Sequence, residues 1–486
     1  MTASPTPPCP RPSTAQPSRD HQSTEQPSTD QPSTDRAPQL REAHFRLDRE
    51  HAELLGIGAG TLGPLAARAD ALAWIRHGRG FVGFGETARF TASGAERFQE
   101  LSRRFSAAAC TRTAPLPAPL PGVGLMAFAK FAYSKRSAVP SELIVPRVVV
   151  AHPEEDFARS AAEGTGPWIT VISDDGAEEL TLELALSEAQ RLSSRQEEDR
   201  ERSPRDAVRP GALTEREWTQ AVARAVEVIG QREVTKVVMA RDVVVETEHP
   251  VSRSELARRL ARAYDSCWTY SVDGLIGATP EMLIRLLDGQ AQARVLAGTI
   301  DRGENAEWSI DDARTELLGS DKQVHEHRLA IDSLVAELAP FAPELVHDSE
   351  PFVLELPNVW HLASDVSVRV HGAQGTPGIL DLVESVHPTA AVCGTPRKVA
   401  ELLIPELERM ERGHYAGPVG WADAAGNGEF GIALRGTWLT SERTARVFGG
   451  CGVVEGSVPE SELLESWAKM RPVLDAFGLA RPADAI

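Results

Sequence analysis

The chain has no apolar run approaching the ~18 residues that a membrane-spanning helix needs, which excludes such a span from the sequence as it stands. Cysteine is scarce. Cys9, Cys110, Cys267, Cys393 and Cys451 are scattered through 486 residues, odd in number and without C-x-x-C spacing. That pattern suggests neither a disulfide framework nor a zinc site, and reduced thiols are expected. Positive charge is also short: 51 Lys and Arg against 70 Asp and Glu give a formal net charge of -19. A nucleic acid or an anionic membrane demands a basic field, so neither is expected as a partner. An anionic small substrate would need local cations or a metal. The N-terminus lacks the charged, apolar and small-residue succession of a secretory signal, from which a cytoplasmic location is expected. What remains, 42% apolar and 25% charged residues, is the composition of an ordinary globular enzyme.

Residues 1–40 repeat a Q-P-S-T-D theme with almost no large apolar side chains, and are expected to form a disordered tail because nothing in them repays the entropy of ordering. A first globular region, 41–211, opens with an apolar helical stretch, LAARADALAWI. Strand-like FVGFGETARF, GLMAFAKFAY and LIVPRVVVAH follow, then a helix over LTLELALSEAQRLSSRQ. The charged segment 197–211 is expected to be an exposed connection. The second region, 212–480, begins with a capping box, Thr214 and Glu217, ahead of EWTQAVARAVEVI. KVVMARDVVVET then reads as a strand. Ser252 and Glu255 suggest another capping box. Strands follow around YSVDGLIGA, EMLIRLL and ARVLAGT, then one long helix over about 311–339, helices near GILDLVESV and RKVAELLIPELERM, a hairpin turning at AAGNGEF, and a last helix over 459–476. Strands and helices mix without regular alternation, which predicts an α+β fold.

Several stretches bear on chemistry. Gly58, Gly60 and Gly63 imitate G-x-G-x-x-G, with Glu86 beyond, but RLDREHAELL before them is too charged for the buried strand that a dinucleotide motif requires. Glu281 follows a Thr-Pro step, where proline breaks a ladder and a carboxyl can be aimed into a cleft or into solvent. Lys236 is the one charge opening an apolar strand: an edge lysine that blocks aggregation, or a desolvated general base. Glu462, Glu465 and Lys469 share one face of the last helix, as solvated pairs or as ligands. Glu326, between His325 and His327, lacks the spacing of a zinc protease; with an acid near 465 it could hold a hard cation such as Mg2+. The glycines of VFGGCGVVEGS fit either a bulged strand or an anion cradle. Tyr415 and Arg435 stand alone by this reading.

Taken in order, KVVMAR, GATPEMLIR, LAGT, SDKQVHEH, HLAS, HPTAAVCGTPR, RGHYAGPVGW, GNGEFGIALR and GCGVVEGSVPESELLESWAK resemble the chorismate-utilising enzymes, a group that includes isochorismate, salicylate, anthranilate and aminodeoxychorismate synthases. The match runs from about 213 to 476, and GFVGFGETARF and LIVPRVVVAH extend it weakly into the first region. The resemblance implies the anthranilate synthase component I-like, chorismate-binding fold: two stacked antiparallel β-sheets flanked by helices around a deep cleft. It implies Mg2+ on Glu326 and Glu465, with His325 and His327 as neighbours, and Gly298 and Thr299 along the ring pocket. Tyr415, Arg435, Lys469 and the backbone of Gly450 would hold the enolpyruvyl carboxylate. Lys236 would be the base that activates water, and Glu281 the acid that assists the leaving hydroxyl. The closest match is isochorismate synthase, with salicylate synthase, which goes on to eliminate pyruvate, as the alternative. Ala297 stands where aminodeoxychorismate synthases have a nucleophilic lysine, and anthranilate synthases generally have a non-basic residue in place of Lys236. Ammonia chemistry and a glutamine amidotransferase subunit are therefore not expected. Gln323 replaces an acid that often accompanies the metal ligands, and Cys451 replaces a usual alanine.

Overall fold

The computed structural model of the chain describes residues 39–481, apart from 58–59, 109–110, 113–119, 155–156, 158–165, 195–202, 303–304, 306, 343–344, 348–349, 357–358 and 372–376. Residues 1–38 of the expected tail fall outside the described residues, as does most of the first half of the charged connection, while Leu40, at the tail's expected end, is buried in the core.

Two sheets make the frame. The first runs from Ala207–Pro210 through Lys236–Glu246, Thr444–Val454, Gly436–Ser441, Leu275–Thr279, Trp268–Val272, Leu72–Arg76, Arg79–Phe84, Val148–His152 and Trp168–Ser173 to Arg41–Arg46. The second runs from Val359–Arg369 through Gln290–Asp301, Met282–Leu287, Gly428–Ile432, Pro418–Asp423, Met126–Lys130 and Ser141–Val145 to Ala88–Ala92. Among the described residues the pairing is antiparallel, save for the contact of Arg41–Arg46 with Thr111–Arg112. Leu72, Trp74, Phe81, Trp268 and Tyr270 from the first sheet pack with Met126, Phe128, Ile144, Val419 and Trp421 from the second in one buried cluster, so the sheets are stacked face to face. Burial on both sides explains why these strands read as continuous apolar runs. Strands from before and after residue 211 are neighbours in each sheet, as Thr269 opposite Ile75 and Trp421 opposite Phe128 show. The α+β architecture expected from the sequence is what the chain adopts.

Local signals mostly held. Thr214 and Glu217 form the reciprocal capping box of helix Glu215–Gly230. At Ser252 only half a box forms: its hydroxyl accepts from the Glu255 N–H, while the Glu255 carboxylate turns to Arg258 and Arg259.

Three expectations are corrected. The helix over LAARADALAWI is only Gly63–Ala66; Asp70 adopts φ 58°, and Leu72–Arg76 is a strand joined to Arg79–Phe84 by a two-residue turn at His77 and Gly78, with φ 50° and 70°. That turn matches strand twist, so tertiary pairing overrides the helical propensity of Ala and Leu. The long helix breaks at Ser320, which ends Ile310–Gly319 and caps Asp321–Leu338 by accepting from the Gln323 N–H. The charged connection contributes an edge strand, Ala207–Pro210, paired with Val243–Glu246. Before the glycine-rich stretch lies helix Arg49–Leu54 rather than a buried strand, so the dinucleotide reading has no structural basis.

Candidate active site

In a strand, alternate residues share a face. Along Lys236–Glu246, Val238 and Ala240 line a pocket, and Lys236, fully buried, has the same parity. Across from Ala240 sits Gly450 on Thr444–Val454. A Cβ there would lie 2.4 Å from the Met239 carbonyl oxygen, so only glycine permits this approach, and Gly450 also lines the pocket. The glycine-rich stretch is thus regular strand, with its backbone turned to the cavity.

Glu281 sits where the chain leaves the first sheet after Leu275–Thr279 and enters the second at Met282–Leu287. The proline before it ends one ladder, and a register shift between Met282 and Ile284 follows. This crossing places the carboxyl in the pocket between the sheets. Burial drives its pKa up to about 8, against the pull of Lys236, then Lys469 and an N–H from Leu296. At neutral pH the carboxyl keeps its proton.

The strands Gln290–Asp301 and Val359–Arg369 slip register between Leu296 and Thr299. In that bulge Gly298 takes φ +87°, a conformation open to glycine, and a Cβ there would stand 3.0 Å from Gln323 Oε1. Gln323 fastens the bulge: its Oε1 accepts from the Thr299 N–H at 3.1 Å, and its Nε2 donates to the Thr299 carbonyl at 3.4 Å. Gly298 and Thr299 both line the pocket.

On the side expected to hold the enolpyruvyl carboxylate, the Tyr415 ring stacks on Phe448, with centroids 4.7 Å apart. Arg435 is buried with φ 49°, a left-handed backbone for a bulky residue that the surrounding structure must enforce. Lys469 Nζ donates to Glu465 Oε1 at 2.6 Å. Burial alone would lower the Lys469 ammonium, but Glu465 holds it above its ordinary value. Tyr415, Arg435 and Lys469 line the same pocket as Glu281.

The sequence reading missed His361. Its Nε2 faces Arg435 Nη2 at 3.2 Å; a guanidinium has no acceptor, so Nε2 accepts, and the ring proton is on Nδ1, within reach of Thr299 Oγ1 at 3.0 Å and the Gly298 carbonyl at 3.3 Å. Burial, then Arg435 and Lys469, push the imidazole well below its usual range, so it is neutral. The HLAS motif contained it, but nothing local set it apart. Arg412, also on the pocket wall, was missed as well.

The metal expectation rests on Glu326 and Glu465. Glu326 lies in helix Asp321–Leu338, and its side chain is outside the described residues. Its helix is anchored to the pocket by Gln323, one turn earlier. The Glu465 carboxylate, one turn before Lys469, keeps about a quarter of its surface exposed (27%) beside the pocket. An accessible carboxylate is the kind of donor that a hard, oxygen-seeking cation takes. His327 is committed elsewhere, 2.8 Å from Ser364 Oγ, and His325 is exposed. Among the described residues no three His, Cys, Asp or Glu side chains converge on one point.

A profile of chorismate-binding enzymes matches residues 73–478. The chain belongs to that family. This chorismate-binding enzyme is 33% identical over 276 residues to the isochorismate synthase DhbC of Bacillus subtilis, covering 54% of this chain and 68% of the relative. It is also 33% identical over 272 residues to the isochorismate synthase MenF of that organism, covering 55% of this chain and 56% of the relative. The matched stretch thus spans from a little over half to two thirds of these relatives' own length. Among solved structures, MenF, the menaquinone-specific isochorismate synthase of Escherichia coli, superposes with a TM-score of 0.66 over 90% of this chain and 95% of that chain, at 22% identity. That likeness bears on the fold. No helix of the enzyme, among the described residues, is long and apolar enough to cross a membrane.

Proposed function

We propose that this chorismate-binding enzyme is an isochorismate synthase, an isomerase that moves a hydroxyl from C4 to C2 of chorismate by adding one water and releasing another. The observation that carries the reading is a buried amine, Lys236, acting on a buried carboxyl, Glu281, that burial keeps protonated near neutral pH. An amine acting as base opposite an acid that holds its proton is the pairing that addition and departure require.

Chorismate carries two carboxylates. Arg435, held by His361, offers a forked guanidinium to the enolpyruvyl carboxylate, with Tyr415, Lys469 and the Gly450 backbone around it. Gly298 and Thr299 border the ring. Lys236 takes a proton from water as its oxygen bonds to C2. The C1–C2 double bond shifts to C1–C6 and the C5–C6 double bond to C4–C5, the C4–O bond breaks, and Glu281 gives its proton so that the hydroxyl leaves as water. Glu326 and Glu465 would hold Mg2+, which when bound supplies positive charge for the ring carboxylate. The nucleophile is water rather than ammonia, so no glutamine amidotransferase partner enters the reading, and a cytoplasmic location belongs with it.

Purified protein incubated with chorismate and Mg2+ in H2-18O tests this. Isochorismate bearing one labelled oxygen at C2 is the expected product. Salicylate and pyruvate without an added lyase would assign a salicylate synthase instead, and untouched chorismate would refute both.

A further inference from the structure

Among the described residues, only one edge of the Lys236–Glu246 strand has a full-length neighbour. Thr444–Val454 pairs with all of it, whereas on the other edge Gly394–Thr395 covers Lys236 and Val237, and Ala207–Pro210 covers Val243 to Glu246. The peptide groups of Val238 and Ala240 face the interval between those two short strands. Buried peptide groups need partners. Here two come from one ion pair: Arg412 Nη2 donates to the Val238 carbonyl at 2.8 Å, and Glu408 Oε1 accepts from the Ala240 N–H at 2.7 Å. Trp218 Nε1 donates to the Ala240 carbonyl at 3.2 Å, and the Val238 N–H donates to the Cys393 carbonyl at 2.8 Å.

Arg412 also donates through Nη1 to the Val392 carbonyl at 2.8 Å and through Nε to Glu408 at 3.0 Å. The pair is sealed, with side chains 3% and 0% exposed. Two charges taken out of water recover little net stability, and an apolar pair of similar volume often does better. What these charges achieve is geometric. They tie the strand that carries Lys236 to the connection at Val392, and Val238, Ala240 and Val392 all line the pocket.

We propose that Glu408 and Arg412 are positioning residues for the hydroxyl transfer: side chains in place of a missing strand, holding the base-bearing edge at a fixed height opposite Glu281. The proposal rests on the isochorismate synthase reading. A competing role, with Arg412 gripping a substrate carboxylate directly, leaves a different kinetic mark. A positioning residue lowers kcat and spares KM; a substrate ligand raises KM.

The test compares wild-type enzyme with Glu408→Ala and Arg412→Lys, with kcat normalised to folded protein by circular dichroism. Wild-type turnover of chorismate comes first; without it the functional reading fails independently of this proposal. With it, both variants are expected to lose at least ~10-fold in kcat, with KM for chorismate within ~3-fold of wild type. Wild-type kcat in folded Glu408→Ala, or a ~10-fold rise in KM at unchanged kcat in Arg412→Lys, overturns it. Should Glu408→Ala not fold, Trp218→Phe removes one bond from the same edge. A ~3-fold fall in kcat at constant KM supports the proposal, and unaltered kinetics count against it.

Discussion

Arg435 meets its pocket through His361: the guanidinium donates to Nε2 of a ring whose other nitrogen is turned to Thr299 and Gly298. The histidine therefore acts as a neutral acceptor that aims a cation. Replacing it with Phe keeps the bulk and removes the acceptor. The expected result is a rise in KM for chorismate of ~10-fold or more, the scale of a lost hydrogen bond to a buried charge. His361→Gln, which retains an acceptor, is expected to recover part of it. Steady-state kinetics over a chorismate series give the comparison; equal KM in all three proteins would remove His361 from the carboxylate site.

Glu281 ties pH to both activity and stability. As the acid it must be protonated, so kcat/KM is expected to fall as pH rises through about 8. Its folded pKa lies above the ordinary carboxyl value, so between the two the folded state binds more protons than the unfolded one. Stability is then lost as pH rises from about 4.5 to about 8. Glu281→Gln is expected to be inactive, to match wild type in stability near pH 5, and to exceed it by a few kcal/mol near pH 9. Chemical denaturation at the two pH values decides; no gain at high pH would mean that the carboxyl is not desolvated.

Gln323→Leu removes the acceptor of the Thr299 N–H and the donor to its carbonyl. The expected cost is ~1–3 kcal/mol in stability, with a loss of turnover as the Gly298 bulge relaxes. Thermal unfolding and kcat are the measurements, and unchanged values in both would show that the bulge holds its shape unaided.

Gly450→Ala sets a methyl against the Met239 carbonyl. Overpacking of this kind costs ~1–3 kcal/mol, and the methyl also intrudes on the pocket. Lower Tm together with weaker chorismate binding is expected, whereas a stable variant with wild-type binding would contradict the close approach.

What could be read from the sequence follows how local each feature is. The Thr214 cap and the apolar run after Lys236 declare themselves within a few residues, and both elements formed where expected. The strand at Leu72–Arg76 did not, because its pairing partners are Arg79–Phe84 and the far-off Trp268–Val272. A positive-φ Asp70 and the His77–Gly78 turn were the only nearby hints. The break at Ser320 was visible in principle, since Ser-Asp-Lys-Gln is a helix start. His361 and Arg412 take their meaning from residues 74 and 174 positions away in the chain, Arg435 and Val238. Only the ordered motifs of the family resemblance, and not local pattern, gathered Glu281, Tyr415, Arg435 and Lys469 into one pocket.

The most direct test of the central claim is the turnover of Lys236→Ala measured beside its chorismate binding by calorimetry. Loss of the base is expected to cut kcat by ~100-fold or more while the Kd stays within a few-fold of wild type. Turnover at the wild-type rate in a protein lacking that amine would contradict the account.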